Sequence, residues 1–104
     1  MRIPRLMWNR RHNIAALTVS YSRRIWHTRE VDDLILGYNA TGRLARVVIL
    51  DPRRQLPPDA DVRKAITAVL KTLLRAGDVR PEELDVLRSA LERAISQVQL
   101  RATS

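Results

Sequence analysis

The first half of the chain alternates apolar and polar side chains with the period of β-strands. Leu17, Val19 and Tyr21, for example, fall on one side of their segment, with Ala, Thr and Ser on the other. Runs of this kind predict four strands, at residues 14–21, 25–31, 34–38 and 44–50. The tetrad at residues 39–42 separates the last two runs and ends in Gly42, a residue suited to a positive φ, which predicts a β-hairpin.

The fourth run is apolar on both faces. Val47 and Ile49 point to one side, and Val48 and Leu50 point to the other. A strand with one solvated face would carry polar side chains there. We therefore expect both faces to be covered, by the chain's own helices or by a second copy, and we expect a homo-oligomer.

Beyond Pro57-Pro58 the hydrophobic period becomes helical. Asp59 or Asp61 is placed to cap a first helix. Its apolar stripe consists of Val62, Ile66, Val69, Leu70, Leu73 and Leu74. Gly77 stands where that helix would stop, and Pro81 suits the first position of a second helix. The short connection between them predicts an αα-hairpin.

The expected fold is therefore α+β, an antiparallel β-meander of about four strands followed by a C-terminal αα-hairpin. Residues 1–58 form the β-meander domain with a basic N-terminal segment. Residues 59–104 form a two-helix extension that packs on the sheet or on a partner. In the second helix the candidate self-association residues are Leu84, Leu87, Leu91 and Val98. They fit a helix–helix seam over only about two heptads, so packing within the chain is the expected use and self-association the alternative.

Several short motifs are similar to those of a known family. They lie at residues 16–19, 28–33, 34–44 and 48–51. In order and spacing, residues 8–56 resemble the small bacterial domain-of-unknown-function family numbered 2283. The resemblance implies the sheet and no established activity, although some members resemble partners in toxin–antitoxin gene pairs. The chain departs from the family at residues 8–13, where cations replace acids, and in its helices after Pro58.

Positive charge is concentrated in the sheet half. The formal net charge is +8, and residues 1–58 hold eleven arginines against four acids, whereas residues 59–104 hold eight cations against seven acids. Such a field attracts anionic partners. The candidate partner-binding residues are Arg5, Trp8, Arg10, Arg11, Arg23, Arg24, Trp26 and Arg29. Arginine suits phosphate or carboxylate, and tryptophan can stack on a base or hold a guanidinium. A solvated surface is the alternative.

No helix-turn-helix or RNP pattern is evident, which favours a binder of phosphate backbone or acidic protein surface over a sequence-specific reader. A further basic stripe, Lys64, Lys71 and Arg75, is interpreted as a solvated helix face, with an extension of the anion-binding surface as the alternative. We expect a non-enzymatic binding or assembly module; a structural homo-oligomer without an anionic ligand is the alternative.

A small enzyme or metal site around Glu30, Asp32 and Asp33 is the second alternative. No histidine accompanies these carboxylates at ligand spacing, so a turn that pairs with Arg29 is the preferred interpretation. No catalytic residue, metal, cofactor or small-molecule substrate is expected. The chain has no cysteine, which fits a reducing cytoplasm, and no run approaches the ~20 apolar residues of a membrane span.

Overall fold

A computed structural model describes residues 3–21, 24–77 and 79–103 of the chain. Five strands are followed by three helices. The strands are β1 (Arg5–Asn9), β2 (Ile14–Thr18), β3 (His27–Val31), β4 (Leu34–Tyr38) and β5 (Leu44–Leu50). The helices are α1 (Pro52–Gln55), α2 (Val62–Arg75) and α3 (Pro81–Thr103). The α+β class is confirmed, with five strands rather than about four.

The five strands form one antiparallel sheet in the order β1-β2-β5-β4-β3. β4 and β5 have the predicted bounds, whereas β2 ends at Thr18 and β3 begins only at His27. The strand that was not predicted is β1, which pairs with β2 from Arg5 opposite Thr18 to Asn9 opposite Ile14. β1 is short, has polar side chains at both ends and forms an edge of the sheet, so its alternation is a weak signal in the sequence.

One face of the sheet is covered by the helices. Val47 and Ile49 of β5 point to this face and are fully buried. The core that they share combines the sheet with both long helices: Ala15, Leu17, Leu34, Leu36, Ile66, Val69, Leu73, Leu87 and Leu91. Burial of this apolar surface is the main favourable term in folding. The helices therefore pack on their own sheet and close only one of its two faces.

The ends of α2 follow from its sequence. Of the two candidate caps, Asp61 is used: its carboxylate accepts a hydrogen bond from the Lys64 backbone N–H at 2.9 Å. The helix ends at Arg75, before Gly77. Leu74 was expected in the buried stripe, but it is 56% exposed, so that assignment is wrong. Thr72 is buried instead, and its hydroxyl donates to the Ala68 carbonyl at 3.0 Å.

The β4–β5 turn has the predicted form. The side-chain oxygen of Asn39 accepts hydrogen bonds from the backbone N–H groups of Thr41 and Arg43, each at 3.0 Å. Gly42 has a φ of 81°, a conformation that L-residues rarely adopt. The local turn chemistry therefore sets the register of the hairpin.

The leucine face of α3 is used within the chain. Leu87 and Leu91 are buried in the core, Leu84 is half-buried against it, and Val98 is half-buried. This is the packing that the sequence favoured. Contact between two copies through Leu87 and Leu91 would require the core to open.

Candidate anion-binding groove

Two distant segments meet at one end of the sheet, the β1–β2 turn and the β5–α1 junction. Both Asn13 and Asp51 have a positive φ, and the Asn13 side-chain amide donates to the Asp51 carboxylate at 2.5 Å. The Arg53 guanidinium donates to the carbonyl oxygen of Arg10 at 3.1 Å. These contacts place the arginines of the β1–β2 turn, Arg10 and Arg11, next to α1.

Arg10 also links this turn to the segment that enters α2. Its guanidinium lies 4.2 Å from the centre of the Trp8 ring, in cation–π geometry. The same guanidinium donates to the carbonyl oxygen of Pro58 at 3.0 Å. Trp8 is half-buried against the core and so provides a fixed platform. The Arg10 side chain is therefore held in place by two contacts and remains at the surface.

A groove of about 610 Å³ runs between α1 and α2. Its charged lining is strongly cationic: Arg54, Arg63, Lys64, Lys71 and Arg75. The one acid among the lining residues is Asp61, whose carboxylate already caps α2. Polar groups close the base, where the Gln55 amide donates to the Leu50 carbonyl at 2.9 Å and the Gln55 side-chain oxygen lies 3.3 Å from the Thr72 hydroxyl oxygen. The groove is thus an open, positively charged surface whose base is tied by hydrogen bonds. We call it the basic groove.

The cations of the basic groove differ in whether an acidic side chain lies close enough to form an ion pair with them. The Lys64 ammonium hydrogen-bonds the Asp59 carboxylate at 2.8 Å. That hydrogen bond lowers the pKa of Asp59 and raises the pKa of Lys64, so both are charged at neutral pH. Arg54 lies 3.8 Å from Asp51. Within the described ranges, no ion pair within 4.0 Å involves Arg63, Lys71 or Arg75.

The structure divides the sequence-predicted partner-binding residues between the two ends of the sheet. Arg10 lies near the basic groove, since its guanidinium contacts Pro58, next to the lining residue Pro57. Trp8 supports that guanidinium, and Arg11 follows Arg10 in the β1–β2 turn. Arg5 is exposed at the opposite end of β1, on the face turned away from the helices. Trp26 is 67% exposed and lies at the far end too, because its backbone N–H donates to the Tyr38 backbone carbonyl. The predicted set is therefore not one continuous surface.

The remaining members of that set have other surroundings. The Arg24 guanidinium lies 5.7 Å from the centre of the Trp26 ring. Arg29 forms an ion pair with Glu83 and so ties β3 to α3. Burial raises the pKa of the neighbouring Tyr38 hydroxyl; the charge of Glu83 adds to that rise, and Arg29 opposes it. Arg23 lies outside the described residues.

The carboxylates of the second alternative sit at the β3–β4 turn. Asp32 has a φ of 50°, and the Asp33 carbonyl accepts from the Leu50 N–H at 2.8 Å. Glu30 is exposed on β3. Among the residues that the structure describes, no three His, Cys, Asp or Glu side chains are grouped so that they could hold a metal ion.

The contribution of α1 to the groove was not predicted from the sequence. Arg53 and Arg54 belong to this four-residue helix, which begins with Pro52 at its first position. The dipeptide Asp51-Pro52 indicates the end of β5, but proline is also frequent at the first position of a helix. That preference is the one local signal that could have placed Arg54 at the groove.

No family model, no curated protein and no solved structure matches this chain. The resemblance to family 2283 therefore stays a prediction based on the motifs of residues 8–56. No helix in the described part of the chain is long and apolar enough to cross a membrane.

Proposed function

We propose that the protein is a non-enzymatic binding module that engages an anionic partner through the basic groove, extended by Arg10 and Arg11 of the β1–β2 turn. One observation carries the proposal: five cations line the groove against one acid, and that acid is occupied in capping α2. Cations gathered on one surface raise the local concentration of an anionic ligand and speed its association.

The spacing along α2 favours an extended phosphate backbone. From Lys64 to Arg75 the helix rises by about 16 Å, at ~1.5 Å per residue. Over that length of duplex axis one strand of B-DNA carries about five phosphates, at ~3.4 Å of axial rise each, and because they wind around the axis a straight helix faces only some of them at once. The groove offers five cations from two elements for such contacts. Contacts of this kind position a nucleic acid without reading its bases.

An acidic protein surface is the competing anionic partner. The resemblance to family 2283, in which some members look like toxin–antitoxin partners, makes a protein partner the natural alternative. A carboxylate surface offers the same charge without the regular spacing of a phosphate strand. The absence of cysteine fits a reducing compartment, and we propose the cytoplasm as the place where this binding occurs.

Fluorescence anisotropy with three labelled polymers tests the proposal: a mixed-sequence oligonucleotide, heparin and polyglutamate, each at 50 and 200 mM salt. We expect binding to the oligonucleotide and to heparin that weakens steeply with salt. Binding to polyglutamate alone would indicate that the groove engages an acidic protein surface and not a nucleic acid. No binding to any of the three at 50 mM salt would refute anion binding.

A further inference from the structure

The sheet face opposite the helices is largely apolar, and within the described chain no helix covers it, although Ile25 packs over Gly37 at one corner. On its edge strand Met7 is 54% exposed, and next to it Ile14 is 39% exposed. Strand register places five side chains in a row across the middle of this face: Met7, Ala16, Val48, Ile35 and Glu30. Leu50 extends the apolar area on one side of that row, and Arg5 and Arg46 border it on the other. We call this surface the open face.

We infer that a second copy of the chain covers the open face, so that two sheets pack face to face with their strands nearly perpendicular. Orthogonal packing of this type is one of the two stable arrangements of stacked sheets. The two-fold axis that relates the copies would run parallel to both sheets, midway between them, and would pass over Val48 on the central strand β5. This inference is independent of the proposed anion binding, since the basic groove lies on the helical side.

The distribution of apolar residues supports a two-fold axis that runs diagonally across the sheet, between the strand direction and the row of five side chains. Ile14 lies on one side of Val48 along that diagonal, and Gly37 lies on the other. The position above Gly37 is filled by Ile25, whose Cγ2 would stand 3.3 Å from a Cβ placed on the glycine. Each residue on the axis meets its own counterpart in a two-fold dimer. Those self-contacts would therefore be Ile14, Val48 and Ile25, all of them apolar.

The charges select the same axis. Arg46 lies two residues from Val48 along β5, about 7 Å away, and Glu30 lies two strands away, about 10 Å in the perpendicular direction. Rotation about the diagonal two-fold axis lays the strand direction of one copy along the perpendicular direction of the other. Arg46 of each copy then lies beside Glu30 of the other. It also brings Arg5 toward the β3–β4 turn, which carries two acids. An axis parallel to the strands would instead stack Arg46 on Arg46.

The size of the open face sets the expected affinity. Five strands at ~4.8 Å spacing and five residues at ~3.4 Å give a plan area of about 400 Å². Two copies thus bury at least about 800 Å², and the relief of the side chains adds to that figure. This is below the ~1,200 Å² at which specific, stable interfaces begin, and it is the size of weak, transient contacts. We therefore expect a dimer with a dissociation constant in the micromolar range rather than the nanomolar range.

Sedimentation equilibrium between 5 and 200 µM tests the inference. We expect the mass to rise from 12.0 kDa toward twice that value. Arg46→Glu and Glu30→Arg should each raise the dissociation constant by about tenfold or more, because each creates like-charge contacts. The double exchange should restore it. Within one sheet residues 46 and 30 lie about 12 Å apart. A dissociation constant restored by the double exchange must therefore reflect contact between copies.

An apolar substitution supplies the second arm. Met7→Asp should dissociate the dimer, and Met7 is exposed enough for the variant to remain folded, which circular dichroism checks. Val86→Asp is the matched control, because Val86 is 65% exposed on α3, away from the open face. A chain that stays monomeric at 200 µM overturns the inference. So does a dimer that Val86→Asp weakens and Met7→Asp does not, or one in which the double exchange fails to rescue.

Salt separates this inference from the anion binding. Two chains of net charge +8 repel each other, and added salt screens that repulsion. The same salt also screens the Arg46–Glu30 contacts between copies, so raising it from 50 to 500 mM should change the dimer only slightly, while it weakens polymer binding steeply. A dimer that salt dissociates as steeply as it dissociates the polymer would contradict an apolar interface.

Discussion

The basic groove makes a quantitative prediction for the double variant Lys71→Gln/Arg75→Gln. Both side chains are exposed on α2, and within the described ranges neither belongs to an ion pair. Replacing exposed charges changes the free energy of unfolding little. The variant therefore removes two of the five groove cations and leaves the fold intact.

The magnitude follows from counterion release. If five cations neutralise five phosphates of a duplex, the slope of log K against log salt is about −4.5, and affinity falls about 500-fold between 50 and 200 mM salt. With three cations the slope is about −2.7 and the fall is about 40-fold. The change in slope of about 1.8 is large enough to resolve in a titration at four salt concentrations.

The assay is fluorescence anisotropy with a labelled 20-base-pair duplex, and the control variant is Arg80→Gln/Arg93→Gln. Arg80 and Arg93 are exposed and lie outside the basic groove. Both double variants lower the net charge from +8 to +6. The control should keep most of the original slope. Equal losses of slope in the two variants would show that net charge, and not the groove, determines binding.

Three further predictions follow from single contacts. Asp59→Asn should remove the carboxylate that competes with phosphate for Lys64, so duplex binding at 50 mM salt should tighten, measured in the same titration. Leu91→Ala should lower the free energy of unfolding by about 2 to 5 kcal/mol in urea titration, because Leu91 is fully buried. Burial raises the pKa of Tyr38, with Glu83 adding to the rise, so the neutral form is favoured in the folded state. Its contribution to stability should be present below pH ~10 and be lost as the pH rises further. Thermal melts should show a smaller alkaline loss in Tyr38→Phe.

Local patterns predicted the elements whose physics is local. The bounds of β4 and β5 follow from their alternation and from the Gly42 turn, and α2 follows from its capping aspartate and apolar stripe. β1 was missed because five residues with polar ends give little periodic signal, and its pairing with β2 supplies what the pattern lacks. Alternation also identified the apolar outer side of β5, but it could not tell which face the helices would cover.

The basic groove depends on contacts between residues far apart in the chain. The hydrogen bond from Arg10 to Pro58 joins residues separated by 48 positions, and that from Arg53 to Arg10 joins residues separated by 43. No window of sequence contains both partners. The spacing of Lys64, Lys71 and Arg75 was visible as a basic stripe, but the second wall of the groove comes from Arg54 in α1.

Counting charge along the sequence and the geometry of the groove therefore lead to different candidate sites. Residues 59–104 have a net charge of only +1, yet α2 contains four cations and no acid, because the acids of this half lie before α2 or after it. The two descriptions differ in what they predict for the N-terminal arginines. A charge count treats Arg10→Gln/Arg11→Gln and Arg5→Gln/Arg24→Gln alike, since each lowers the net charge by two. The geometry does not, because Arg10 lies near the groove with Arg11 next to it in the β1–β2 turn, and the other two lie at the opposite end of the sheet.

We therefore expect the first pair to reduce the salt slope for duplex DNA by up to about 1.8 and the second pair to leave it nearly unchanged. Thermal melts of both variants should match the parent chain, which would exclude unfolding as the cause of a lost slope. Equal losses of slope would favour a diffuse field over the basic groove. A larger loss in the Arg5/Arg24 variant would place the contact surface at the other end of the sheet, where Arg24 lies 5.7 Å from the Trp26 ring centre.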